Sequence, residues 1–264
     1  MLNFAKKLLN KALAFFGFEI HRKKHAIAQT PRTSMYGSLH QVRQNGFQPK
    51  TIIDVGAASG TPALYEVFPE ARHILIEPLE EYIPHLNTLV GKLEQAEYII
   101  AAATATPGNV IINVHPDLVG SSLYKEEEDS DVNGVERTIP GMTLDNICSE
   151  RRTEEPYLIK IDTQGSELEV LKGAQTVLKD TELVILEVSF FEFFKGGPQI
   201  YDCMTFMKEQ GFVAYDIFDL QYRLLDGAMS QVDIAFVRDE SNLRKYHFYA
   251  TREQRATLTK QLLI

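Results

Sequence analysis

This sequence contains few cysteines, no long uncharged apolar run and no excess of basic residues. Its 264 residues include only two cysteines, Cys148 and Cys203, which are too few for a disulfide framework and favour a reducing compartment. The most apolar run, residues 183–194, carries Glu187 and Glu192 and is too short to span a bilayer. The formal net charge of −9 argues against nucleic-acid binding, which requires a basic face. Together these features predict a cytoplasmic protein without a nucleic-acid partner.

The N-terminal residues 1–24 combine apolar and basic side chains, and two interpretations of them stay open. At helical spacing, Phe4, Leu8, Leu9 and further apolar residues share one face. Such a helix is expected either to contact a membrane surface or to pack on its own domain or on a second subunit of a homo-oligomer. A signal peptide is not predicted, because the apolar core is short and no small-residue cleavage site follows it.

From residue 50 onward, strand and helix patterns alternate, which is typical of a mostly parallel sheet covered by helices on both faces. Two final apolar runs, 212–218 and 232–237, are joined by a turn-like segment too short for a helix, so they are expected to pair antiparallel. The fold class predicted is therefore α/β, a Rossmann-like seven-stranded sheet that ends in an antiparallel β-hairpin. The remaining predicted strands of this sheet are 52–55, 73–76, 97–102, 157–161 and 183–188, and 110–114 is predicted to be a short extra strand.

The chain divides into three predicted parts. Residues 1–49 form a helical extension, 50–238 the main domain and 239–264 a charged tail that ends in a helix. Within the main domain, the polar stretch 115–142 includes the acidic run 126–131. A loop of this length inside a compact domain is often functional. We therefore predict that residues 115–142 form a lid or a substrate-binding loop.

Residues 51–79 predict the first half of a nucleotide-binding unit. An apolar strand ends in Asp54, a turn of small residues follows at 56–60, and a threonine–proline pair at 61–62 begins a helix. A second strand then ends in Glu77. The small turn residues allow a ligand to lie against the backbone, and the acid is expected to accept hydrogen bonds from two ribose hydroxyls.

The glycine spacing distinguishes two ligand classes. The dinucleotide fingerprint is G-x-G-x-x-G, whereas this turn reads Gly56-x-x-x-Gly60 with Ala58 at the middle position. Asp54 is expected to meet the ammonium group of a methionine, because a carboxylate there would repel the pyrophosphate of a dinucleotide. The terminal hairpin is also typical of class I methyltransferases. S-adenosylmethionine is therefore favoured over NAD, although an NAD-type oxidoreductase or epimerase and a non-catalytic partner-binding module stay as alternatives.

The end of the third predicted strand, residues 101–103, consists of three alanines and would leave room for a flat adenine. It completes the predicted cofactor site with the glycine turn and the acid of the second strand. The residues predicted to bind the cofactor are Asp54, Gly56, Ala57, Ser59, Gly60, Glu77, Pro78 and Ala102.

A second block, residues 160–174, resembles the FkbM family of S-adenosylmethionine-dependent methyltransferases. It matches the family pattern K-I-D-x-x-G-x-E-x-x-x-L-x-G-A throughout, and segments 54–57, 121–123 and 143–145 add to the resemblance, which extends over 50–237. What the resemblance implies is a class I methyltransferase domain and O-methylation of a hydroxyl on a sugar, a glycan or a polyketide-type secondary metabolite. Family members often have asparagine where this chain has its middle alanine, so a polar contact is either missing or supplied by the next residue, a serine.

Four ionisable residues are candidates for catalysis. Asp162 ends the fourth predicted strand at the carboxyl edge of the sheet, and we predict that it removes the proton of the acceptor hydroxyl; a helix cap is its alternative. Lys160 has the same parity on the strand and is expected to pair with it. Glu187 is expected beside Asp162 on the next strand, and two adjacent carboxylates suggest a divalent ion or a raised pKa. Glu167 matches a family position, so it is expected to contact substrate or metal, or to stabilise the start of a helix.

No tight cluster of ligands supports a metal, so no metal-binding residue is predicted. Ser166 and Glu169 have the spacing of a capping box at the start of the following helix. Ser121 and Ser122 are expected either to touch substrate or cofactor or to belong to an ordinary loop.

Overall fold

In the computed structural model of this protein, residues 32–127 and 131–262 are described. One compact unit runs from Arg32 to His247, so it extends beyond the predicted 50–238 at both ends. A second unit contains residues 248–262, and within it Arg252–Leu262 forms an α-helix. The amphipathic pattern predicted for residues 1–24 lies outside the described residues.

The described residues of the compact unit include ten strands. In chain order they are β1 (Thr51–Val55), β2 (Arg72–Glu77), β3 (Ala96–Ile100), β4 (Ala102–Ala103), β5 (Gly108–Val114), β6 (Val135–Met142), β7 (Tyr157–Ile161), β8 (Thr181–Ser189), β9 (Phe212–Tyr222) and β10 (Met229–Arg238).

Seven of these strands form one sheet in the order β3-β2-β1-β7-β8-β10-β9. The first five are parallel neighbours, whereas β10 is inserted antiparallel between β8 and β9. This confirms the predicted seven-stranded, mostly parallel sheet with a terminal hairpin. The strands β1, β7 and most of β8 are buried on both faces, which explains why they are continuous apolar runs in the sequence.

Strands β4, β5 and β6 form a second, three-stranded sheet. Two predictions need correction here. The predicted strand 97–102 is divided, because Ala102 and Ala103 leave the main sheet and pair with Gly141 and Met142 instead. The predicted loop 115–142 ends in strand β6, which pairs antiparallel with β5 along its whole length. The exposed side chains of β6 hide its strand character from a hydrophobicity pattern.

Helices cover both faces of the main sheet. One face packs on α1 (Met35–Gln44), α2 (Pro62–Val67) and α3 (Ile83–Val90). The other packs on α4 (Leu144–Arg151), α5 (Glu167–Lys172) and α6 (Ile200–Glu209). The alternation of side chains along a strand divides the core in the same way. No helix among the described residues is long and apolar enough to cross a membrane.

Candidate active site

A cleft of about 690 Å³ opens at the carboxyl edge of the main sheet. Ligands of open α/β sheets bind at this edge. Its walls come from the turns after β1, β2 and β7, from the small sheet and from the segment that follows β5. The lining residues are Val55, Gly56, Ala58, Ile76, Glu77, Pro78, Leu79, Tyr82, Ala101, Ala102, Ala103, Ile112, Leu118, Val119, Ser121, Ser122, Leu123, Asp162, Thr163, Gln164 and Ser166.

The turn after β1 contacts the turn after β7 through main-chain atoms. Gly56 has φ +72°, and a Cβ built on it would overlap the carbonyl oxygen of Asp162. The Asp162 N–H donates to the carbonyl of Val55 at 3.1 Å. Only glycine fits a position that combines a positive φ with such a close backbone approach. Ala58 has φ +45°, so it adopts the left-handed conformation that a glycine would favour.

Glu77 lines the cleft and supports the glycine turn. Its carboxylate accepts the N–H of Ala58 at 2.8 Å and the N–H of Leu79 at 2.9 Å. Burial raises the pKa of Glu77 to about 6, although both backbone donors act in the opposite direction. A carboxylate has about four acceptor positions, so two backbone bonds leave capacity for the hydroxyl groups of a ribose.

Asp54 lies beneath the turn instead of in the cleft, with only 1% of its surface exposed. Its carboxylate accepts hydrogen bonds from the hydroxyls of Thr61 and Tyr65, and the Nζ of Lys160 lies 3.8 Å away. In this geometry each carboxylate oxygen accepts a hydrogen bond from an internal hydroxyl, and the predicted contact of Asp54 with a ligand ammonium stays a prediction. Thr61, the N-cap residue of α2, makes no side-chain cap bond, and its hydroxyl donates to Asp54 instead.

The other predicted cofactor residues divide into two groups. Pro78 and Ala102 line the cleft. Ala57 is buried and its N–H donates to the carbonyl of Ile76, so it joins the turn to β2. Gly60 faces the side chain of Leu89 instead of the cleft, and Ser59 is exposed. The three alanines at 101–103 all lie in the cleft wall.

Asp162 lines the cleft, and about a third of its side chain is exposed. The expected ion pair forms, with Lys160 Nζ 3.2 Å from Asp162 Oδ2. Lys160 is almost fully buried, and burial opposes its charge, yet Asp162 and Asp54 outweigh that effect and raise the pKa of the amine. The buried ammonium therefore stays charged and offsets one unit of the negative charge of the two neighbouring carboxylates.

Glu187 lies behind Asp162, as its strand position predicts, and three side-chain amides converge on it. Gln164 and Gln231 donate to its Oε2 at 3.2 and 2.7 Å, and Gln221 donates to its Oε1 at 2.8 Å. Burial, with Asp162 and Asp233 nearby, raises the pKa of Glu187 to about 9. Asp233 lies opposite Glu187 on β10, and its pKa is raised to about 7, also mainly by burial.

Glu167 organises the turn after β7 from beneath. Its Oε1 accepts the N–H groups of Thr163 and Gly165 at 3.2 and 3.0 Å, and burial raises the pKa of this carboxyl. It is 4% exposed, so it supports the cleft wall and does not form it. The capping box expected between Ser166 and Glu169 is wrong: Ser166 makes no side-chain cap bond and donates to the Thr163 carbonyl, and Glu169 pairs with a lysine of its own helix.

The segment after β5 closes the cleft from the side of the small sheet. Leu118 and Val119 contribute apolar surface to the cleft wall. Ser122 pairs with Asn113 in an isolated bridge, and its hydroxyl donates to the Gln164 carbonyl at 2.6 Å. Ser121, the other candidate serine, accepts the N–H of His115. The segment is thus joined directly to the turn that carries Asp162.

The family model described as "Methyltransferase FkbM domain" matches residues 54–214, more than half of the chain. The chain belongs to the FkbM methyltransferase family. The resemblance noted in the sequence is thereby confirmed, and the matched region is an S-adenosylmethionine-dependent methyltransferase domain. It begins at the acid beneath the glycine turn and ends within β9, so it contains every predicted site residue.

One curated relative of this FkbM methyltransferase is the 2-O-methyltransferase NoeI of Sinorhizobium fredii. The two are 26% identical over 161 residues, which is 55% of this chain and 65% of the relative. Among solved structures, precorrin-6y C5,15-methyltransferase of Geobacter metallireducens has a TM-score of 0.41 and 12% identity, covering 81% of this chain and 93% of that one. Magnesium protoporphyrin IX methyltransferase of Synechocystis PCC 6803 has a TM-score of 0.42 and 10% identity, covering 88% and 96%.

Several residues at the site of this FkbM methyltransferase were not predicted from the sequence. Gln164 is an unassigned position of the family pattern, and its amide contacts could not be anticipated. Asp233 could have been identified, since it is the single charged residue of the predicted apolar run 232–237, as Lys160 is in β7. Gln221 and Gln231 become neighbours of Glu187 only through the hairpin register. Within the described residues, no group of three or more histidine, cysteine or acidic side chains could hold a metal ion.

Proposed function

We propose that this chain transfers the methyl group of S-adenosylmethionine to a hydroxyl group of a sugar, a glycan or a secondary metabolite. The observation that carries the proposal is the position of Asp162 in the wall of the cleft that also contains the glycine turn and Glu77. A single cleft therefore brings together residues suited to a nucleoside and a carboxylate suited to accept a proton.

The cofactor side of the cleft suits an adenosyl group. Glu77 offers acceptor positions for ribose hydroxyls, and Gly56 and Ala102 leave backbone and small side chains at the surface. Leu79 and Ile112 add apolar surface on which a flat adenine would lie. The proposed binding of S-adenosylmethionine at the glycine turn does not require Asp54, whose carboxylate oxygens accept hydrogen bonds from the hydroxyls of Thr61 and Tyr65.

The acceptor side of the cleft suits the removal of a proton. When bound, S-adenosylmethionine supplies a methyl group on a sulfonium, and transfer is an in-line displacement that depends on positioning. The Asp162 carboxylate would accept the proton of the acceptor hydroxyl, whose oxygen would receive the methyl group that bound S-adenosylmethionine supplies. Lys160 holds that carboxylate at 3.2 Å and compensates its charge. Lys160, Glu167 and Glu187 are thus assigned supporting roles around Asp162.

A hydroxyl acceptor is supported by the name of the curated relative, a 2-O-methyltransferase, at 26% identity. A test is to incubate the protein with isotope-labelled S-adenosylmethionine and either simple hexosides, a glycan extract or a metabolite extract, and to identify labelled methyl ethers by mass spectrometry. Labelled O-methyl products are expected. Calorimetric binding of NAD with no response to S-adenosylmethionine would contradict the proposal and favour an oxidoreductase.

The role of Asp162 is tested by Asp162→Asn. The amide keeps the size of the side chain but cannot accept the proton, so turnover is expected to fall by about 100- to 10,000-fold. Affinity for S-adenosylmethionine is expected to stay near that of the wild type, because the cofactor residues are untouched. Asp180→Asn, an exposed position outside the cleft, is the matched control. Unchanged turnover in Asp162→Asn would remove the base role.

A further inference from the structure

Gln164 lies in the turn between β7 and α5, where its side chain joins two carboxylates. Its Nε2 donates to Asp162 Oδ1 at 3.0 Å and to Glu187 Oε2 at 3.2 Å. An amide NH₂ group has two hydrogens, so one nitrogen can satisfy both acceptors at once. The contact places a neutral donor where two carboxylates would otherwise face each other and repel.

The backbone of Gln164 is as constrained as its side chain. It has φ +52°, a left-handed conformation that is unfavourable for a residue with a Cβ. Its carbonyl accepts the hydroxyl of Ser122 at 2.6 Å, so the residue also contacts the segment that closes the cleft. Strained backbone that persists at a site of ligand binding points to a functional constraint on that position.

We infer that Gln164 is a positioning residue, whose amide holds the Asp162 carboxylate in its orientation toward the cleft and keeps it together with Glu187. The three groups cannot be rearranged separately, because Gln221 and Gln231 fix Glu187 from the terminal hairpin. The hairpin therefore reaches the proposed catalytic carboxylate through a chain of side-chain hydrogen bonds. The catalytic importance of this geometry rests on the proposed function, whereas the amide contacts do not.

The electrostatic surroundings of the two carboxylates come from five elements. Within the described part of the chain, Lys160 on β7 provides the one ammonium group that acts on these carboxylates. The other ionisable groups nearby are acidic, and they lie on the neighbouring strands and on α5. Without the amide donor, the ionised form of Glu187 loses a hydrogen bond, and its pKa rises. Lys160, Glu167 and Asp233 act directly on Glu187, whereas Asp54 acts on Lys160 and Asp219 acts on Asp233.

The test compares Gln164→Met with Gln164→Gly in the full-length protein. Methionine matches the length of glutamine and lacks the donor, and glycine also lacks the donor but relieves the positive φ. The carboxyl resonance of Glu187 is titrated by ¹³C NMR in the absence of acceptor. Both variants are expected to titrate about one to two pH units higher than the wild type, since a hydrogen bond to a charged group has been lost.

The matched control is Gln175→Met, because this exposed glutamine donates to the carbonyl of Leu171 and touches neither carboxylate. Its Glu187 titration is expected to match that of the wild type. Wild-type titration in both Gln164 variants would overturn the inference, and so would a shift confined to one of them. Failure of the wild type to methylate any acceptor would refute the proposed function instead, and it would leave the titrations unaffected.

Discussion

Replacement of Glu77 by glutamine separates the role of its carboxylate in folding from its role in cofactor binding. The ionised carboxylate is buried, and its pKa of about 6 lies above the ordinary 4.5. That difference corresponds to a cost of about 2 kcal/mol for the charged form at neutral pH. Because the charged form is the costly one, the cost grows as pH rises from about 4.5 to 6, and Glu77→Gln is free of it.

The amide of Glu77→Gln has one acceptor oxygen where the carboxylate has two. It can accept the N–H of Ala58 or that of Leu79 but leaves the other without its bond, at a cost of about 1.5–3 kcal/mol. The lost hydrogen bond destabilises the variant by nearly as much as the removal of the buried charge stabilises it. We therefore expect the free energy of unfolding at pH 7.5 to change by less than about 1 kcal/mol. Urea denaturation measures it.

Cofactor binding is expected to suffer much more than folding. The loss of charged acceptors for the ribose hydroxyls should weaken S-adenosylmethionine binding about 10- to 100-fold, as measured by titration calorimetry at pH 7.5. In the wild type, Kd should also rise as pH falls below about 6, because protonation removes acceptor positions. The control is Glu80→Gln, an exposed acid three residues away. Wild-type affinity in Glu77→Gln, at both pH 5 and pH 7.5, would refute the assignment of Glu77 to the ribose.

Three further predictions concern the surroundings of the cleft. Gly56→Ala should lower the free energy of unfolding by about 2–6 kcal/mol, because φ strain adds to overlap with backbone. Gly227→Ala, with a closely similar φ of +74° in open space, carries the φ strain alone, so equal losses in the two variants would show the overlap to be unimportant. Since the pKa of Glu187 is raised to about 9, wild-type stability should fall relative to Glu187→Gln as pH rises from about 4.5 to 9, and a pH-independent difference in urea denaturation would contradict this. Tyr65→Phe removes a donor to the buried Asp54 and should cost about 1.5–3 kcal/mol in the same assay; wild-type stability would mean that the bond contributes nothing.

Much of what the sequence predicted follows from the alternation of side chains along the strands. Because side chains alternate along a strand, the pairing of Lys160 with Asp162 and the position of Glu187 followed from counting residues. The sheet and its hairpin were predictable for a related reason, since buried parallel strands are continuous apolar runs. The cleft position of Glu77 followed from the end of its strand.

Other features depend on contacts that no local pattern encodes. The surroundings of Asp54 include Tyr65, whose hydroxyl donates to the buried carboxylate from α2. Strand β6 is too polar to be recognised by hydrophobicity, and it is held by pairing with β5. The hydrogen bonds of Glu187 to glutamines arise from hairpin register, which depends on bulges in β9 and β10. Long-range pairing, and not propensity, sets these details.

The contact of Gly56 with the carbonyl of Asp162 has a consequence for how this scaffold can diversify. This contact fixes the main chain of the glycine turn relative to the main chain of Asp162, the proposed base. The two main chains are in van der Waals contact, and the N–H of Asp162 donates to the carbonyl of Val55. Replacements in the segment after β5, at the rim of the cleft, are therefore expected to change acceptor preference while the spacing of the two main chains is kept.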